Sequence, residues 1–572
     1  MLRAKNIYSS PRCRQAILVA ITAAVLLLPI PRLLRSPATS MEEGSLVQYS
    51  TMVMNGSVPT KTFWSEYGPL NSYVPAAVFS VTGPSLLVER LVGLAYRLLL
   101  LVGLYRLLRP HSRRGAYLGV VIAWILLVPW GAMAYAWIGG LGCVLAGLSF
   151  ISECIDETPS SFRDRRLLLA GLLLGLGLSF RPDMILLVAA PSAVLLWRRR
   201  RDLYRCLAGA AIGLLPLLYL VLTAGLANAF RNLVTDPVIH LRAGRGLPVP
   251  PNPHYAAEFF TRVKAYLNVV LGQQQWGGPL SLQVAELFWL LIFAAVIAVA
   301  SVLGRRGIRD RRWLTVVLVN VIILTNLLQR ADVSHMRLVG VVVLATTPTA
   351  LAYLFRRQIQ RTEVFVALSA ALTAIIVLQA APDIIGAPYA NLLSVRGMFA
   401  SSPYTTLTND HRSIITNSNV ETLEMKVALN LVSTHSHPGQ RLFEGPTDLR
   451  FTNDNEPWFY WLSPKLVPAS YYLEMNPGIA NTPWSGLERE IDHADVLVLS
   501  NRFAGFSEPN ASRIPGFNGP NLIVEHNFCV VGHDAWYVVL RHFSQGVTAN
   551  PQLLPQHKTM VVGNHREVFC QK

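Results

Sequence analysis

Two adjacent carboxylates, Glu42 and Glu43, follow the first apolar stretch of the chain and are closed by Gly44. A second acid sits in the run Phe63-Trp64-Ser65-Glu66-Tyr67-Gly68-Pro69-Leu70 downstream. A carboxylate at the mouth of a helical bundle can take a proton from an acceptor hydroxyl, a role worth about 10² to 10⁴ in rate. The competing reading is structural. Acids in the first turn of a helix over 42–55 complement its dipole, with Ser40 as N-cap and Glu43 completing a capping box. Residue types alone leave both readings open.

The cations come next. Gln329-Arg330-Ala331-Asp332-Val333-Ser334-His335-Met336-Arg337 forms a short loop between two apolar segments. Arg330, His335 and Arg337 can chelate a phosphate through charge-assisted hydrogen bonds. The alternative is an Arg330–Asp332 or Asp332–Arg337 ion pair with His335 incidental. Phe180-Arg181-Pro182-Asp183 also joins two short apolar runs. Pro182 breaks the helix there, and Arg181 with Asp183 either pair with each other or line a cavity. Glu89, Arg90 and Arg97 lie within an apolar segment, where a charge is costly unless paired or facing water. Arg90 is expected to partner the acidic cluster.

The elements that must position these groups are membrane spans. Hydrophobic residues make up 52% of the 572 and charged residues only 15%, against about a quarter in soluble domains. Apolar runs near the ~20 residues that cross a bilayer recur along the chain. The net charge of +17 is concentrated in short connections: Arg106, Arg109, Arg113 and Arg114; Arg198 to Arg201; Arg305, Arg306, Arg309, Arg311 and Arg312; Arg356, Arg357 and Arg361. That placement is the positive-inside signal and points away from nucleic acid as a partner. Arg3, Lys5, Arg12 and Arg14 ahead of the first apolar run resemble a signal peptide, but Ser36 to Ser40 is a poor cleavage site, so a retained anchor is expected.

Counting crossings so that each arginine cluster is cytoplasmic predicts about eleven spans. They fall at 15–30, 86–108, 115–133, 136–152, 166–181, 183–197, 203–226, 282–303, 313–329, 337–355 and 363–381. The segment 67–83, broken by Pro69, Pro75 and Gly83, reads as interfacial or re-entrant. The N-terminus is then cytoplasmic and the C-terminus extracytoplasmic. Residues 1–381 form the membrane domain, with outer loops at 36–85 and 227–281 and an interfacial helix near 254–270. Residues 382–572 form an extracytoplasmic α/β domain with a helix over 420–433 and strands at 441–444, 496–500, 522–524 and 536–540. The tail holds Cys529 and Cys570, which can bridge where oxidation is permitted. Cys143, Cys154 and Cys206 read as packing residues. No P-loop, GxGxxG, HExxH, CxxC or GxSxG motif is present.

The order of these elements resembles the GT-C class of membrane glycosyltransferases, which includes protein O-mannosyltransferases and lipid A aminoarabinose transferases. The likeness rests on Glu42-Glu43-Gly44 after the first span, the amphipathic segment 45–55, and then Gly56-Ser57-Val58-Pro59, Phe63 and Tyr67-Gly68-Pro69-Leu70, followed by an apolar stretch ending at Gly83 and Arg90. It covers residues 1 to about 381. In the tail, Gly445 to Arg450 and Glu474-Met475-Asn476-Pro477-Gly478 are similar to outer domains of bacterial members and carry no assigned role. The resemblance implies that Glu42 or Glu43 is the general base, without deciding between them. It implies a polyprenyl-phosphate sugar as donor, a glycan, lipid or protein as acceptor, and a bacterial inner membrane as the location. The chemistry is hexosyl or pentosyl transfer with inversion.

Topology assigns the donor phosphate to Arg330, His335 and Arg337, and the substrate cavity to Glu66, Tyr67, Arg90, Arg181, Asp183 and Asp332. Some members of the class use a divalent cation held by acids. Beyond the pair no ligand set is visible, so no cofactor and no metal is expected. Two alternatives stand: a polyprenyl-diphosphate-glycan ligase or polymerase, and a secondary transporter, which would normally show repeated halves.

Overall fold

The computed structural model describes residues 26–27, 29–247, 278–330, 333–354, 404–508, 510–543, 559–563 and 565–570. Most of the predicted first span, the predicted helix at 254–270, Asp332 and the predicted last span at 363–381 lie outside the described residues.

The membrane half begins with α1 (Met41–Met54), which carries the acidic pair in its first turn, and α2 (Leu70–Thr82), which holds Pro75. The helices that follow are α3 (Leu86–Leu108), α4 (Arg113–Leu127), α5 (Ala136–Cys154), α6 (Ser161–Phe180), α7 (Ile185–Leu196), α8 (Arg200–Gly213) and α9 (Leu215–Ala224). After a π-helical segment at Arg231–Leu241 and a last turn at Arg242–Arg245 come α10 (Gly278–Arg306), α11 (Arg311–Ile322) and α12 (Val333–Leu354). Serine side chains accept from backbone amides to cap α3, α4 and α6, and Asp310 does so for α11. Each cap satisfies a donor that the helix itself leaves open.

Five described helices are long and apolar enough to cross a bilayer: Leu86–Leu108, Arg113–Trp130, Ala136–Cys154, Trp289–Arg306 and His335–Leu354. A sixth is added if α8 and α9, bent by 44°, form one span. The chain is a polytopic α-helical membrane protein. The expected eleven spans are not reached on this measure among the described residues, because several helices are short or charged. Pro182–Leu196 is apolar but short, and α6 opens with Arg163, Asp164, Arg165 and Arg166. Three of these charges are paired: Arg163 grips Asp202 at the start of α8, Asp164 meets Arg205, and Arg166 joins Arg106 and Arg109 on Glu153.

Helices α6 and α8 meet through glycines one turn apart on each. A Cβ on Gly171 would lie 1.9 Å from the Cys206 carbonyl oxygen, and one on Gly209 would lie 2.0 Å from the Leu168 carbonyl oxygen. Gly175 and Gly213 repeat the approach one turn further on. Small residues at i and i+4 let two membrane helices touch backbone to backbone.

The C-terminal region is α/β. A hairpin of β1 (Thr405–Asn409) and β2 (Arg412–Thr416) precedes α13 (Asn419–His435). The central sheet has strands β3 (Arg441–Pro446), β4 (Val467–Pro468), β5 (Val496–Ser500), β6 (Phe528–His533) and β7 (Tyr537–His542) in the order β4-β3-β5-β7-β6. β3 pairs in parallel with β4 and β5, whereas β7 runs antiparallel to β5 and β6. A last hairpin joins β8 (Thr559–Val562) to β9 (His565–Val568). The Cys529–Cys570 disulfide ties the end of the chain back to β6. The expected strand at 522–524 is instead part of α14 (Gly519–Asn527). Its apolar triplet Leu522-Ile523-Val524 suits either structure, and Pro520 in the first turn starts a helix.

This region packs directly on the membrane half. Val47, Tyr49, Phe63 and Leu86 share a core with Leu407, Met425, Trp458, Phe459 and Trp461. Tyr49 and Phe63 stack at 4.5 Å between centroids. The Trp64 amide donates to Tyr471 O at 2.7 Å, and Ala38 donates to Ile415 O at 2.7 Å. The first loop is therefore held between the bundle and the sheet.

Candidate active site

The acidic pair opens α1, and helix geometry separates its two members. Consecutive helical residues project about 100° apart. Glu43 turns inward, 2% exposed, and meets Arg90 of α3 in a bidentate pair, with Nε to Oε1 at 2.8 Å and Nη2 to Oε2 at 2.9 Å. The remaining Arg90 donors go to Leu34 O at 3.0 Å and Ser36 O at 2.7 Å. Arg90 thus fastens the approach to α1 as well as the acid itself. The cap differs from the expected Ser40 capping box. Thr39 and Glu43 cap one another instead, with Thr39 N donating to Glu43 Oε2 and Glu43 N donating to Thr39 Oγ1, while the Ser40 side chain makes no cap.

Gly44 has its own reason. The Trp458 ring lies 3.3 Å from where a Cβ would stand, and its Nε1 donates to Thr39 O at 2.9 Å.

Glu42 faces the other way and is exposed in the wall of a cavity of about 320 Å³. The same cavity is lined by Glu66 and Tyr67 of the first loop, Trp130, Tyr135 and Trp137, and Arg181 and Asp183. Arg242 and Arg245 line it too, with Asn326, Arg330 and His335, and with Glu474 and Asn476 from the α/β region. The structure therefore brings together Glu42, Glu66, Tyr67, Arg181, Asp183, Arg330 and His335 of the sequence-predicted set. Glu43, Arg90 and Arg337 do not line the cavity, and Asp332 lies outside the described residues.

Each wall has a local cause. Arg181 leaves the end of α6 in extended backbone and grips Asp183 with two hydrogen bonds, 2.9 and 2.6 Å. Its guanidinium also covers the Tyr67 ring at 5.2 Å. Tyr67 is fixed because the Gly68 amide donates to Phe180 O at 2.9 Å and its hydroxyl lies 3.4 Å from that of Tyr135. The turn before Tyr135 is pinned by the buried charges of α3. Glu89 accepts from the Ala134 amide, and Arg97 donates to Met133 O at 2.8 Å. Those charges have work inside the bundle, as their depth requires.

Arg242 and Arg245 lie in the α-helical turn that follows the π-helical segment, a geometry that is rare and often functional. Asn232 and Asp236 of that segment are buried. Asn232 Oδ1 accepts from the Ser65 amide and the Tyr471 hydroxyl, and Asp236 Oδ2 accepts from Trp64 Nε1. Arg245 donates to Asn453 O at 2.8 Å, and Arg330 pairs with Glu508. The α/β region thus touches two of the cavity cations. Burial, then the nearby Glu66 and Glu42, push Glu474 up to about 8. Burial also lifts Glu66 above the usual carboxylate range, and burial followed by Glu42 lifts Asp454 to about 7.

Sequence reasoning missed Arg242, Arg245, Tyr135, Glu474 and Asn476. The signal for the arginines was present. Arg231, Arg242 and Arg245 fall in a predicted outer loop, against the charge bias that made Arg330 and Arg337 conspicuous.

The architecture matches solved structures across almost its whole length. The crystal structure of ArnT from Cupriavidus metallidurans bound to undecaprenyl phosphate aligns with a TM-score of 0.50 and 12% identity, over 94% of this chain and 99% of that one. Its apo form aligns at 0.50 and 13%, over 92% and 98%. An oligosaccharyltransferase from Archaeoglobus fulgidus, in complex with Zn and sulfate, aligns at 0.51 and 11%, over 94% and 74%. The chain shares the fold of these structures, as its resemblance to the GT-C class implies. No family model and no curated protein sequence matches the chain.

The acids of the pair do not converge on one ion, because Glu43 is engaged by Arg90. Among the described residues no group of three or more His, Cys, Asp and Glu is arranged to hold a metal ion. The pair does not fit a metal centre.

Proposed function

We propose that the protein transfers a hexosyl or pentosyl unit from a polyprenyl-phosphate donor to an acceptor hydroxyl, with Glu42 as general base. One observation carries this reading: a single cavity joins the exposed Glu42 to Arg181, Arg242, Arg245, Arg330 and His335. The arginines suit a phosphate that gains charge as it leaves, because guanidinium binds phosphate oxygens through charge-assisted, often bidentate, hydrogen bonds. Glu42 suits the opposite end of the reaction. It takes the acceptor proton as the hydroxyl oxygen attacks the anomeric carbon, the bond to the phosphate oxygen breaks, and the polyprenyl phosphate departs with the electron pair. Direct displacement of this kind inverts the anomeric configuration. The undecaprenyl phosphate in the ArnT structure supports the donor class.

Orientation follows from the same reading. Arg106 lies about 24 Å along α3 from Arg90 at 1.5 Å per residue, so the Glu153-centred arginine cluster and the cavity occupy opposite ends of the bundle. With that cluster cytoplasmic, the cavity and the α/β region are extracytoplasmic, in the inner membrane of a bacterial cell.

The test supplies a panel of polyprenyl-phosphate sugars to membranes containing wild type, Glu42→Gln or Glu43→Gln, with polyprenyl phosphate release read by mass spectrometry. Release by wild type and a loss of at least about a hundredfold in Glu42→Gln is the expected result. Undiminished release in Glu42→Gln would reject the base.

A further inference from the structure

The α/β region reaches the cavity through Glu474, and the path by which it does so is rigid. Glu444, on β3 in the central sheet, accepts from Asn455 Nδ2 at 2.8 Å. Asn455 in turn holds the chain on both sides of Glu474, donating to Leu473 O at 2.9 Å and accepting from the Met475 amide at 3.1 Å. Asn476 Nδ2 donates to Glu474 Oε1 at 3.3 Å. Just beyond, Pro477 lies so close to Gly244 that a Cβ there would stand 2.0 Å from its carbonyl oxygen. Gly244 sits between Arg242 and Arg245. The segment carrying Glu474 is therefore locked to the sheet on one side and to the arginine-bearing turn on the other.

Glu66 lines the same cavity from the first loop. The two half-buried carboxyls differ from Asp183, which Arg181 neutralises. Among the described residues neither Glu66 nor Glu474 is held in a salt bridge. Burial outweighs the nearby Arg181 and Arg245 and raises both carboxyls, so the two favour holding a proton. A group in that state both donates and accepts hydrogen bonds, which is what a sugar hydroxyl requires. The cavity also offers an aromatic wall, with Trp130 and Tyr135 stacked at 5.6 Å, against which the apolar face of a pyranose or furanose ring can lie.

We infer that Glu474, together with Glu66, binds ring hydroxyls of the sugar being transferred, so that the C-terminal region selects the donor's sugar. This rests on the transferase reading above. Glu474 is a specificity residue here. The burial that lifts it to about 8 keeps it protonated at neutral pH.

The test uses the full-length protein in lipid nanodiscs and the polyprenyl-phosphate sugar that wild type turns over best, with the monodeoxy analogues of that sugar. Glu474→Leu and Glu66→Leu, near in volume but unable to hydrogen-bond, are compared with wild type for kcat/KM, and for affinity toward bare polyprenyl phosphate. With the natural sugar, Glu474→Leu is expected to lose roughly ten- to a hundredfold in kcat/KM, the cost of leaving a buried sugar hydroxyl without its partner. With one particular deoxy analogue that loss disappears, because the contacted hydroxyl is already gone. Affinity for bare polyprenyl phosphate stays at the wild-type value, which also shows that the variant is folded. Equal losses across all deoxy donors, weakened binding of bare polyprenyl phosphate, or unchanged kcat/KM would each overturn the inference while wild-type transfer stands. A wild type silent with every donor would overturn the transferase reading, and this one with it.

Discussion

Substituting Glu43→Gln leaves the Arg90 guanidinium sealed in the protein without its counter-charge. The Arg90 and Glu43 side chains are 1% and 3% exposed, and two short hydrogen bonds join them. Removing one partner of such a pair costs about 3–5 kcal/mol, because the remaining charge stays buried and uncompensated. Arg90 keeps its bonds to the Leu34 and Ser36 carbonyls, so the lower end of that range, about 3 kcal/mol, is expected. Glu42→Gln, by contrast, changes an exposed cavity side chain and should leave stability near wild type. Activity should run the other way. Glu42→Gln loses at least about a hundredfold in sugar transfer, whereas Glu43→Gln loses activity only in proportion to the protein that unfolds. Thermal unfolding in detergent, followed by tryptophan fluorescence, is measured beside transfer at a temperature where both variants are folded. The double variant Glu43→Met, Arg90→Met should recover most of the lost stability, since buried pairs exchanged for apolar side chains are often neutral. A Glu43→Gln protein that melts with wild type yet transfers a hundredfold more slowly would refute the reasoning and make Glu43 the base.

Three further outcomes follow from the same geometry. Arg245→Ala should weaken polyprenyl phosphate binding roughly ten- to a hundredfold, the loss of one charge-assisted contact, while Arg109→Ala at the other end of the bundle leaves it unchanged; native mass spectrometry of lipid-titrated protein checks both. Burial holds Glu444 at about 8, above its ordinary 4.5. The folded state then keeps a proton that the unfolded chain gives up, so stability falls as pH rises from about 4.5 to about 8, by at most about 1.4 kcal/mol per unit. Glu444→Gln should flatten that slope in denaturation curves taken across the window. Cys570→Ser opens the Cys529–Cys570 bridge and should cost the α/β region about 2–4 kcal/mol, read as a lower midpoint in non-reducing denaturation that matches wild type under reductant.

The bundle was legible where apolar runs were long and uninterrupted. Leu86–Leu108 has its expected bounds at both ends, since a 23-residue apolar helix capped by Ser85 leaves little choice. The charged start of α6 was harder, because Arg163 looks like a loop residue until Asp202 is seen to neutralise it. In the tail, α13 and strands β3, β5 and β7 declare themselves by period, whereas β1 is mostly threonine and β6 is broken by Gly532. The cavity was legible only in part. Glu42, Glu66, Arg181, Arg330 and His335 stand out because charge is scarce around them. Glu474 does not, because acids are ordinary in a soluble domain and only tertiary packing carries this one to the membrane half.

The two glutamates were indistinguishable in sequence because the residue that separates them, Arg90, lies 47 positions away from Glu43. One helical step of about 100° is enough to send neighbours to different surroundings, so adjacency in sequence argues against shared chemistry here. Glu43 is where the bundle fastens the helix, and Glu42 is what the fastened helix presents. The same logic reaches the far wall, where Asn455 holds the backbone on either side of Glu474 as Arg90 holds the start of α1. A catalytic acid needs a fixed position more than strength, because misplacement by about 1 Å can cost a hundredfold in rate. On this view the α/β region is part of the transferase site and not an appendage to it. Cutting the chain ahead of residue 404 should then abolish transfer even if the bundle still inserts, because Trp458 would no longer lie on Gly44 and the cavity would lose one wall.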